Sequence, residues 1–212
     1  MVQDACQAHG ATYSGKSFAE FSPFVAYSFY PTKNLGCLGD GGAVVTNSRK
    51  MANRLRLLRD GGRRGDQVSR IIATNSRLDE LQACFLRTFL LRLDEWNRSR
   101  AELAMLYDQA LARCPDVKPV RRAPGSVNHL YVVRVPRREK LRAYLASEGI
   151  QTGVHYPRAL HLHPAFESCG PKRGSLPNAE RAGREVLSLP LHPWLPSSAV
   201  QRVADTIRKF YH

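Results

Sequence analysis

Lys33 is the residue of this sequence best placed to do chemistry. It follows an apolar run that ends at Tyr30, and it precedes a glycine-rich stretch, Gly36–Gly42, after which a second apolar run begins. A lysine amine held between two buried strands is poorly solvated, which lowers its pKa and makes it a nucleophile for Schiff-base chemistry. A solvated loop lysine is the alternative interpretation of Lys33 taken alone.

Four short blocks of sequence, one of which contains this lysine, carry polar or glycine residues at characteristic spacings. The first carries an aspartate and a glutamine three residues apart, and the second places a serine five residues before the lysine. The third is a Gly-Asp-Gly-Gly turn, and the fourth opens on an asparagine. One block would be weak evidence, whereas four in order and at compatible spacing are specific. The blocks are Asp4–Gly10, Ser28–Lys33, Gly39–Gly42 and Asn75–Gln82.

These blocks strongly resemble the DegT/DnrJ/EryC1/StrS family of pyridoxal-phosphate (PLP) dependent sugar aminotransferases. His155–Pro157 and Leu187–Pro190 continue the resemblance, which covers essentially the whole chain. In that family the aspartate matching Asp4 lies near the middle of the polypeptide, so the chain corresponds to the C-terminal half of the family's full length. The resemblance implies an α/β fold, the PLP-dependent transferase type I fold, with a partial large domain plus a C-terminal α+β small domain.

The resemblance assigns roles to five residues at a PLP site. Lys33 matches the catalytic lysine that forms the Schiff base and moves the substrate proton. Asp4 matches the acid that keeps the pyridine nitrogen protonated, so that the ring can act as an electron sink. Gln7 matches a residue beside the ring, Ser28 a phosphate hydroxyl, and Asn75 a phosphate contact that reaches into the neighbouring subunit's site. Taken alone, Asp4 would be interpreted as a turn-capping aspartate, and Asn75–Ser76 as an N-cap of the long helix.

Three further residues match positions that line the sugar pocket in relatives, namely Tyr30, His155 and Tyr156. His155 has an alternative interpretation as a histidine packed within a strand. His161 and His163 suggest a metal site, but their loop supplies no third ligand at a helpful spacing, so we expect no metal there.

The reaction implied by the resemblance is transfer of an amino group from an amino acid, commonly glutamate, to a nucleotide-linked keto sugar. A homodimer with shared active sites is implied as well. The alternative is a truncated, catalytically inactive remnant, or a structural or regulatory subunit. If Met1 is the true start, we expect weak PLP binding and exposed apolar sheet surface. The family also contains dehydratases and regulators in which the lysine is replaced, so Lys33 favours the aminotransferase branch.

The composition limits the remaining classes of function. The 212 residues carry a formal net charge of +14, which could indicate a nucleic-acid or acidic-membrane partner. The basic residues are spread and not interleaved with aromatics, so we expect neither partner; anionic sugar nucleotides would suit the charge. The five cysteines are scattered without a CxxC pair, and no signal or membrane-spanning run is present. We therefore expect a cytoplasmic protein with reduced, mostly buried thiols.

Hydrophobic periodicity predicts the elements that position these residues. Residues 1–97 are assigned to the remnant of the PLP-binding large domain and residues 98–212 to the small domain. One long amphipathic helix from Arg77 to Leu111, bent near Asn97, is expected to bridge them. The other predicted helices are Met51–Arg59, Arg138–Ser147, Asn178–Leu187 and Ser198–Tyr211, and the predicted strands are Phe24–Tyr30, Gly42–Thr46, Leu130–Val135 and Gln151–Tyr156.

Overall fold

The computed structural model describes residues 1–212, which form two compact units. The first unit comprises Met1–Arg98 and Ala123–His129, and the second comprises Ser99–Arg122 and Leu130–His212. The main boundary lies one residue after the predicted one, but Ala123–His129 joins the first unit instead of the second. The functional names given to the two domains stay a prediction.

The first unit contains a three-stranded sheet in the order β1, β2, β3. The first two strands run parallel, with Asp4 opposite Ala26. β2 and β3 run antiparallel, with Ser28 opposite Gly42. The strands and helices of this unit are β1 (Gln3–Asp4), β2 (Val25–Ser28), β3 (Gly42–Val45), α1 (Arg49–Arg59), α2 (Glu80–Leu90) and the start of α3 (Leu93–Leu111).

Local signals account for the bounds of α1. The Ser48 hydroxyl caps the helix by accepting a hydrogen bond from the Met51 backbone N–H at 3.4 Å. A glycine pair ends the helix, and Gly62 has a φ of +77°. A Cβ at Gly62 would lie 2.2 Å from the Ile71 carbonyl oxygen, so only glycine fits this crossing.

The predicted long helix is two helices, and the prediction of one helix bent near Asn97 is wrong. The break lies at Leu91 and Arg92, and Leu91 is 85% exposed. The apolar periodicity hides this break because Phe89 and Trp96, on either side, keep their ring centroids 5.8 Å apart. Asp79, not Asn75, occupies the N-cap position of α2.

The second unit is built on an antiparallel sheet in the order β4, β5, β6. Its core includes the buried Tyr107 and Tyr131, whose rings stack at 4.6 Å, together with Leu141, Leu187 and Ile207. The elements are the rest of α3, β4 (Lys118–Pro119), β5 (Tyr131–Arg134), α4 (Arg138–Ser147), α5 (Pro177–Glu185), β6 (Val186–Leu189) and α6 (Ser197–Tyr211).

Two predictions for this unit are wrong. The segment predicted as a strand over Gln151–Tyr156 makes only one bridge, between Gly153 and Ser188. The helix predicted to reach Leu187 ends at Glu185, because all four residues of β6 are buried in the sheet and satisfy their backbone groups there.

Two expectations drawn from the composition concern the burial of the cysteines and membrane-spanning segments. All five cysteines are free; Cys37 and Cys114 are buried, Cys6 is half-buried, and Cys84 and Cys169 are exposed, so the thiols are not mostly buried. None of the helices combines the length with the apolar composition that a membrane span requires.

Candidate active site

Asp4, Ser28 and Lys33 meet at one edge of the first sheet. Asp4 is the last residue of β1 and Ser28 the last residue of β2. Because these strands run parallel, their carboxyl ends lie at the same edge. Lys33 lies half-buried in the turn that follows β2, close enough for its charge to act on the Asp4 carboxylate. The fold therefore gathers a carboxylate, a hydroxyl and an amine.

The Asp4 carboxylate is stabilised in its ionised form. The backbone N–H of Cys6 donates to Oδ1 of Asp4 at 2.9 Å. This bond, then the Cys6 thiol, and then the positive charge of Lys33 lower the pKa of Asp4 below its usual value of 3.8. The side chain is exposed, so it stays open to a ligand.

Hydrogen bonds between residues close in sequence shape the turn that carries Lys33. The Ser28 hydroxyl oxygen accepts from the Tyr30 N–H at 3.3 Å, and the Lys33 N–H donates to the Tyr30 carbonyl at 2.9 Å. A Cβ at Gly36 would lie 2.5 Å from the Pro31 carbonyl oxygen, so the tight return of the chain requires glycine.

The glycine-rich segment after the lysine is held against α2. The Leu38 N–H donates to Oε1 of Gln82 at 2.8 Å. A Cβ at Gly41 would lie 2.9 Å from the Leu78 side chain. Both Leu78 and Gln82 belong to the block that opens at Asn75, so one function of that block is to support the lysine loop. The sequence motif contains both residues, but its pattern did not reveal this contact.

His9 is a buried residue of the site region that the sequence did not single out. Its side chain is 3% exposed, and neither ring nitrogen has a hydrogen-bond partner. The ring lies 5.2 Å from that of Tyr27 and 5.9 Å from that of Phe29. Burial, and to a smaller extent the charge of Lys33, lowers the pKa of His9 below its usual value.

Gln7 and Tyr30 lie in the two turns that follow β1 and β2 at this edge. Gln7 lies exposed in the turn that follows β1. Tyr30 is exposed at the start of the lysine turn, where its backbone bonds both Ser28 and Lys33. Both side chains are accessible to a ligand.

Asn75 lies beside the end of α1. Its backbone pairs with that of Asp60, and its Oδ1 accepts from Nε of Arg77 at 3.1 Å. Asp60 also forms an ion pair with Arg63 at 2.9 Å. A cavity of about 280 Å³ opens here, and its lining includes five arginines: Arg56, Arg59, Arg63, Arg64 and Arg77.

His155 and Tyr156 belong to the second unit. His155 is exposed, and its Nδ1 lies 2.9 Å from the hydroxyl of the buried Ser188. Tyr156 is 66% exposed. The interpretation of His155 as a packed strand histidine is wrong, because its segment is not a strand and its ring is accessible. His161, considered as a metal ligand, instead lies 3.1 Å from Oε1 of Glu180.

This chain is similar to known proteins over nearly its whole length. The chain is 48% identical over 212 residues to the dTDP-3-amino-3,4,6-trideoxy-alpha-D-glucose transaminase of Streptomyces venezuelae, a match that covers 99% of this chain and 56% of that protein. It is 41% identical over 215 residues to the pleiotropic regulatory protein of Geobacillus stearothermophilus, covering 100% of this chain and 58% of that protein. The chain thus spans a little over half the length of these curated relatives.

Solved structures show the same fold. The crystal structure of Streptomyces venezuelae DesV aligns with a TM-score of 0.93 at 48% identity, covering 97% of this chain and 56% of that one. This agreement confirms the predicted α/β class and the type I fold of PLP-dependent transferases. The DegT/DnrJ/EryC1/StrS aminotransferase family matches residues 1–208, which confirms the resemblance drawn from the four blocks. The chain belongs to the DegT/DnrJ/EryC1/StrS aminotransferase family.

Proposed function

We propose that this chain carries the lysine-bearing side of a PLP-dependent aminotransferase site that acts on nucleotide-linked keto sugars. The observation that supports it best is the meeting of Asp4, Ser28 and Lys33 at one sheet edge. The amino donor is an amino acid, glutamate by the family resemblance. The similarity to a dTDP-sugar transaminase supports a nucleotide-sugar acceptor.

The residues at this edge fit PLP by the chemistry of their donors. Asp4 offers an exposed carboxylate that is held ionised, which suits a protonated ring nitrogen. The Ser28 oxygen accepts one backbone hydrogen bond, so its O–H hydrogen can be donated to a phosphate oxygen. Lys33, in the turn that follows Ser28, offers a primary amine whose charge acts on Asp4. When bound, PLP supplies an electron sink that stabilises negative charge on the substrate carbon.

Each side chain then has a defined task. Lys33 holds or moves a proton at Nζ in both halves of the transfer, an instance of positioned general acid–base catalysis. Asp4 holds the proton on the ring nitrogen, because its own pKa is too low to take that proton away. Gln7, exposed three residues after Asp4, is assigned to the side of the ring.

The remaining predicted residues are assigned to the substrate and to the partner subunit. We assign Tyr30, His155 and Tyr156 to the sugar pocket, and all three side chains are exposed. We assign Asn75 to the phosphate bound by the partner subunit of a homodimer. Its exposed position beside Arg77 at the end of α1 supports a role outside its own chain.

Chemical trapping tests the assignment of Lys33. The chain is incubated with PLP, reduced with borohydride and digested, and the modified lysines are identified by mass spectrometry. We expect the label on Lys33, a visible absorbance band that is lost in Lys33→Ala, and no change in Lys16→Ala, which removes an exposed lysine of the same unit. Labelling spread evenly over the exposed lysines would contradict the proposal.

A regulatory role is the second candidate. It is favoured by the 41% identity to a protein named as a pleiotropic regulator. A regulator that has kept the fold without the reaction should bind PLP but show no spectral change when glutamate is added. Bleaching of the visible band by glutamate, absent in Lys33→Ala, would favour the aminotransferase over the regulator and over an inactive remnant.

A further inference from the structure

Asn34, the residue directly after Lys33, is the most completely hydrogen-bonded side chain near the site. It is 3% exposed. Its Nδ2 donates to Oδ1 of Asn97 at 2.8 Å and to the Val127 carbonyl at 3.0 Å. Its Oδ1 lies 2.9 Å from Nδ1 of His129. These three partners come from α3 and from Ala123–His129, the segment that joins the first unit from beyond its main boundary.

The direction of each bond follows from the others. Nδ2 of Asn34 faces two oxygen acceptors, so this atom is the amide nitrogen and Oδ1 is the acceptor. Nδ1 of His129 must therefore carry the hydrogen that it donates to Oδ1. Both the neutral Nδ1–H tautomer and the imidazolium can do so, and the bond does not depend on the charge of His129.

Asn97 extends this network to the first block of the sequence. Its Nδ2 donates to the His9 carbonyl at 2.9 Å. At the next residue, Gly10, a Cβ would lie 2.9 Å from the same Nδ2, and φ is +82°. The turn that follows Asp4 and the turn that carries Lys33 are thus tied to one asparagine on α3.

The network matters because the backbone of Lys33 itself is held only by a local hydrogen bond. The Lys33 backbone N–H bonds only within the turn, to the Tyr30 carbonyl. The next residue, by contrast, is locked in the core by three hydrogen bonds. Because the buried Asn34 amide has hydrogen-bond partners on both its nitrogen and its oxygen, the position of the Asn34 Cα is fixed. This in turn restricts the direction in which the side chain of Lys33, the preceding residue, leaves the backbone.

We propose that Asn34 is a positioning residue that holds the Lys33 amine toward Asp4, acting through Asn97, Val127 and His129. The proposal rests on the assignment of Lys33 as the reactive lysine. It predicts that loss of the Asn34 amide misdirects one lysine, whereas a purely structural role predicts a less stable first unit with unchanged relative lysine reactivity.

The decisive variant is Asn34→Ala, with Asn47→Ala as the matched control. Asn47 belongs to the same unit, and its Nδ2 also donates to a backbone carbonyl, that of Ala19 at 2.8 Å, but at the surface. Both variants and the parent chain are treated with trinitrobenzenesulfonate across a range of pH. The rate of modification of Lys33 is expressed as a ratio to that of the exposed Lys16 in the same molecules, at a temperature well below the melting temperature of each variant, so that only folded chains are compared.

We expect Asn34→Ala to change the Lys33-to-Lys16 ratio and the shape of its pH profile, while Asn47→Ala leaves both unchanged. We also expect roughly a tenfold higher PLP concentration for half-maximal trapping of Lys33, since a displacement near 1 Å can cost more than that. A lower melting temperature with an unchanged ratio would overturn the proposal and leave Asn34 a structural residue.

Further arms keep the test decisive. If Asn34→Ala does not fold, Asn97→Ala removes one partner while keeping Asn34, and it must shift the same ratio in the same direction; an unchanged ratio overturns the proposal. Asn34→Asp keeps the shape of the side chain but places an oxygen opposite the Asn97 and Val127 oxygens, where no hydrogen bond can form. It should change the Lys33-to-Lys16 ratio in the same way as Asn34→Ala. If the parent chain does not trap PLP on Lys33, the proposed function fails, yet the amine-reagent ratio still decides the role of Asn34.

Discussion

The side-chain carbonyl of Gln82 accepts a hydrogen bond from the backbone N–H of Leu38 at 2.8 Å, across 44 positions of sequence. Leu38 lies in the glycine-rich segment after Lys33, and Gln82 lies in the first turn of α2. The glycine-rich segment and the block that opens at Asn75, which are separate in the sequence, are therefore one physical unit, in which a helix supports the loop that follows Lys33.

Replacing Gln82 should loosen that loop. Gln82→Ala removes the acceptor for Leu38, and we expect a loss of about 1 kcal/mol or less in the free energy of unfolding. Amide hydrogen exchange at Leu38 and Gly39 should become faster than in the parent chain. Gln109→Ala, an exposed glutamine of the second unit, is the control. Unchanged exchange at Leu38 would show that the bond does not hold the loop.

Gly36 should tolerate no side chain. In Gly36→Ala the new Cβ would begin 2.5 Å from the Pro31 carbonyl oxygen, so the turn that carries Lys33 must shift. We expect the yield of PLP trapping on Lys33 to fall by roughly tenfold or more, because the amine moves relative to Asp4. Gly183→Ala, where the new Cβ would lie 3.3 Å from the Pro157 carbonyl oxygen in the second unit, should leave trapping on Lys33 unchanged. Equal trapping in both variants would contradict this prediction.

Asp4 should contribute stability that depends on pH. Its pKa is lower in the folded chain than its usual value of 3.8, so its contribution is present above about pH 4 and is lost as the pH falls through the folded-state pKa. Because the side chain is exposed, we expect the contribution to stay below about 1 kcal/mol.

Urea unfolding of the parent chain and of Asp4→Asn at several pH values checks this. The variant should be less stable at pH 7, and the two curves should converge in acid. If the difference in the free energy of unfolding between the two chains grew as the pH falls, the pKa of Asp4 would not be lowered by folding. Asp4→Asn should also weaken PLP binding at neutral pH, measured by the visible band, because an amide cannot hold the proton on the ring nitrogen through a charge.

Glu180 should hold the loop that follows Tyr156. Its Oε1 accepts from the Gly174 N–H at 2.6 Å and lies 3.1 Å from Nε2 of His161, and these two contacts lower the pKa of Glu180 in that order. Glu180→Ala removes both bonds. We expect trypsin to cut faster at the exposed Lys172 and Arg173 than in the parent chain.

The parent chain should approach the variant's cleavage rate as the pH falls through the folded-state pKa of Glu180, below its usual 4.5. A pepsin-type protease replaces trypsin in that acidic range. Glu167→Ala removes an exposed carboxylate of the same loop and should not alter cleavage at neutral pH. A parent chain cut as fast as Glu180→Ala at pH 7 would show that these contacts do not restrain the loop.

The elements that the sequence predicted well are those with strong local signals. With the Ser48 cap and the glycine pair at its two ends, α1 ends at Arg59 as predicted and begins two residues before the predicted Met51, and α4 spans Arg138–Ser147 as predicted. The elements that were predicted wrongly depend on partners that lie far away in the sequence. Val186–Leu189 continues a helical pattern in sequence, yet it becomes β6 because β5 offers it a full set of backbone hydrogen bonds.

The residue types and their order by themselves determined the family and the fold class and led to the prediction that Lys33 is the reactive lysine, because the motif residues and the glycine turns lie close together in the sequence. Tertiary structure alone decided what holds that lysine. The partners of Asn34 lie 63 to 95 positions away along the chain, and those of Leu38 lie 44 away. A hydrogen bond depends on distance and direction in space, and neither is visible in a sequence until the chain has closed those loops.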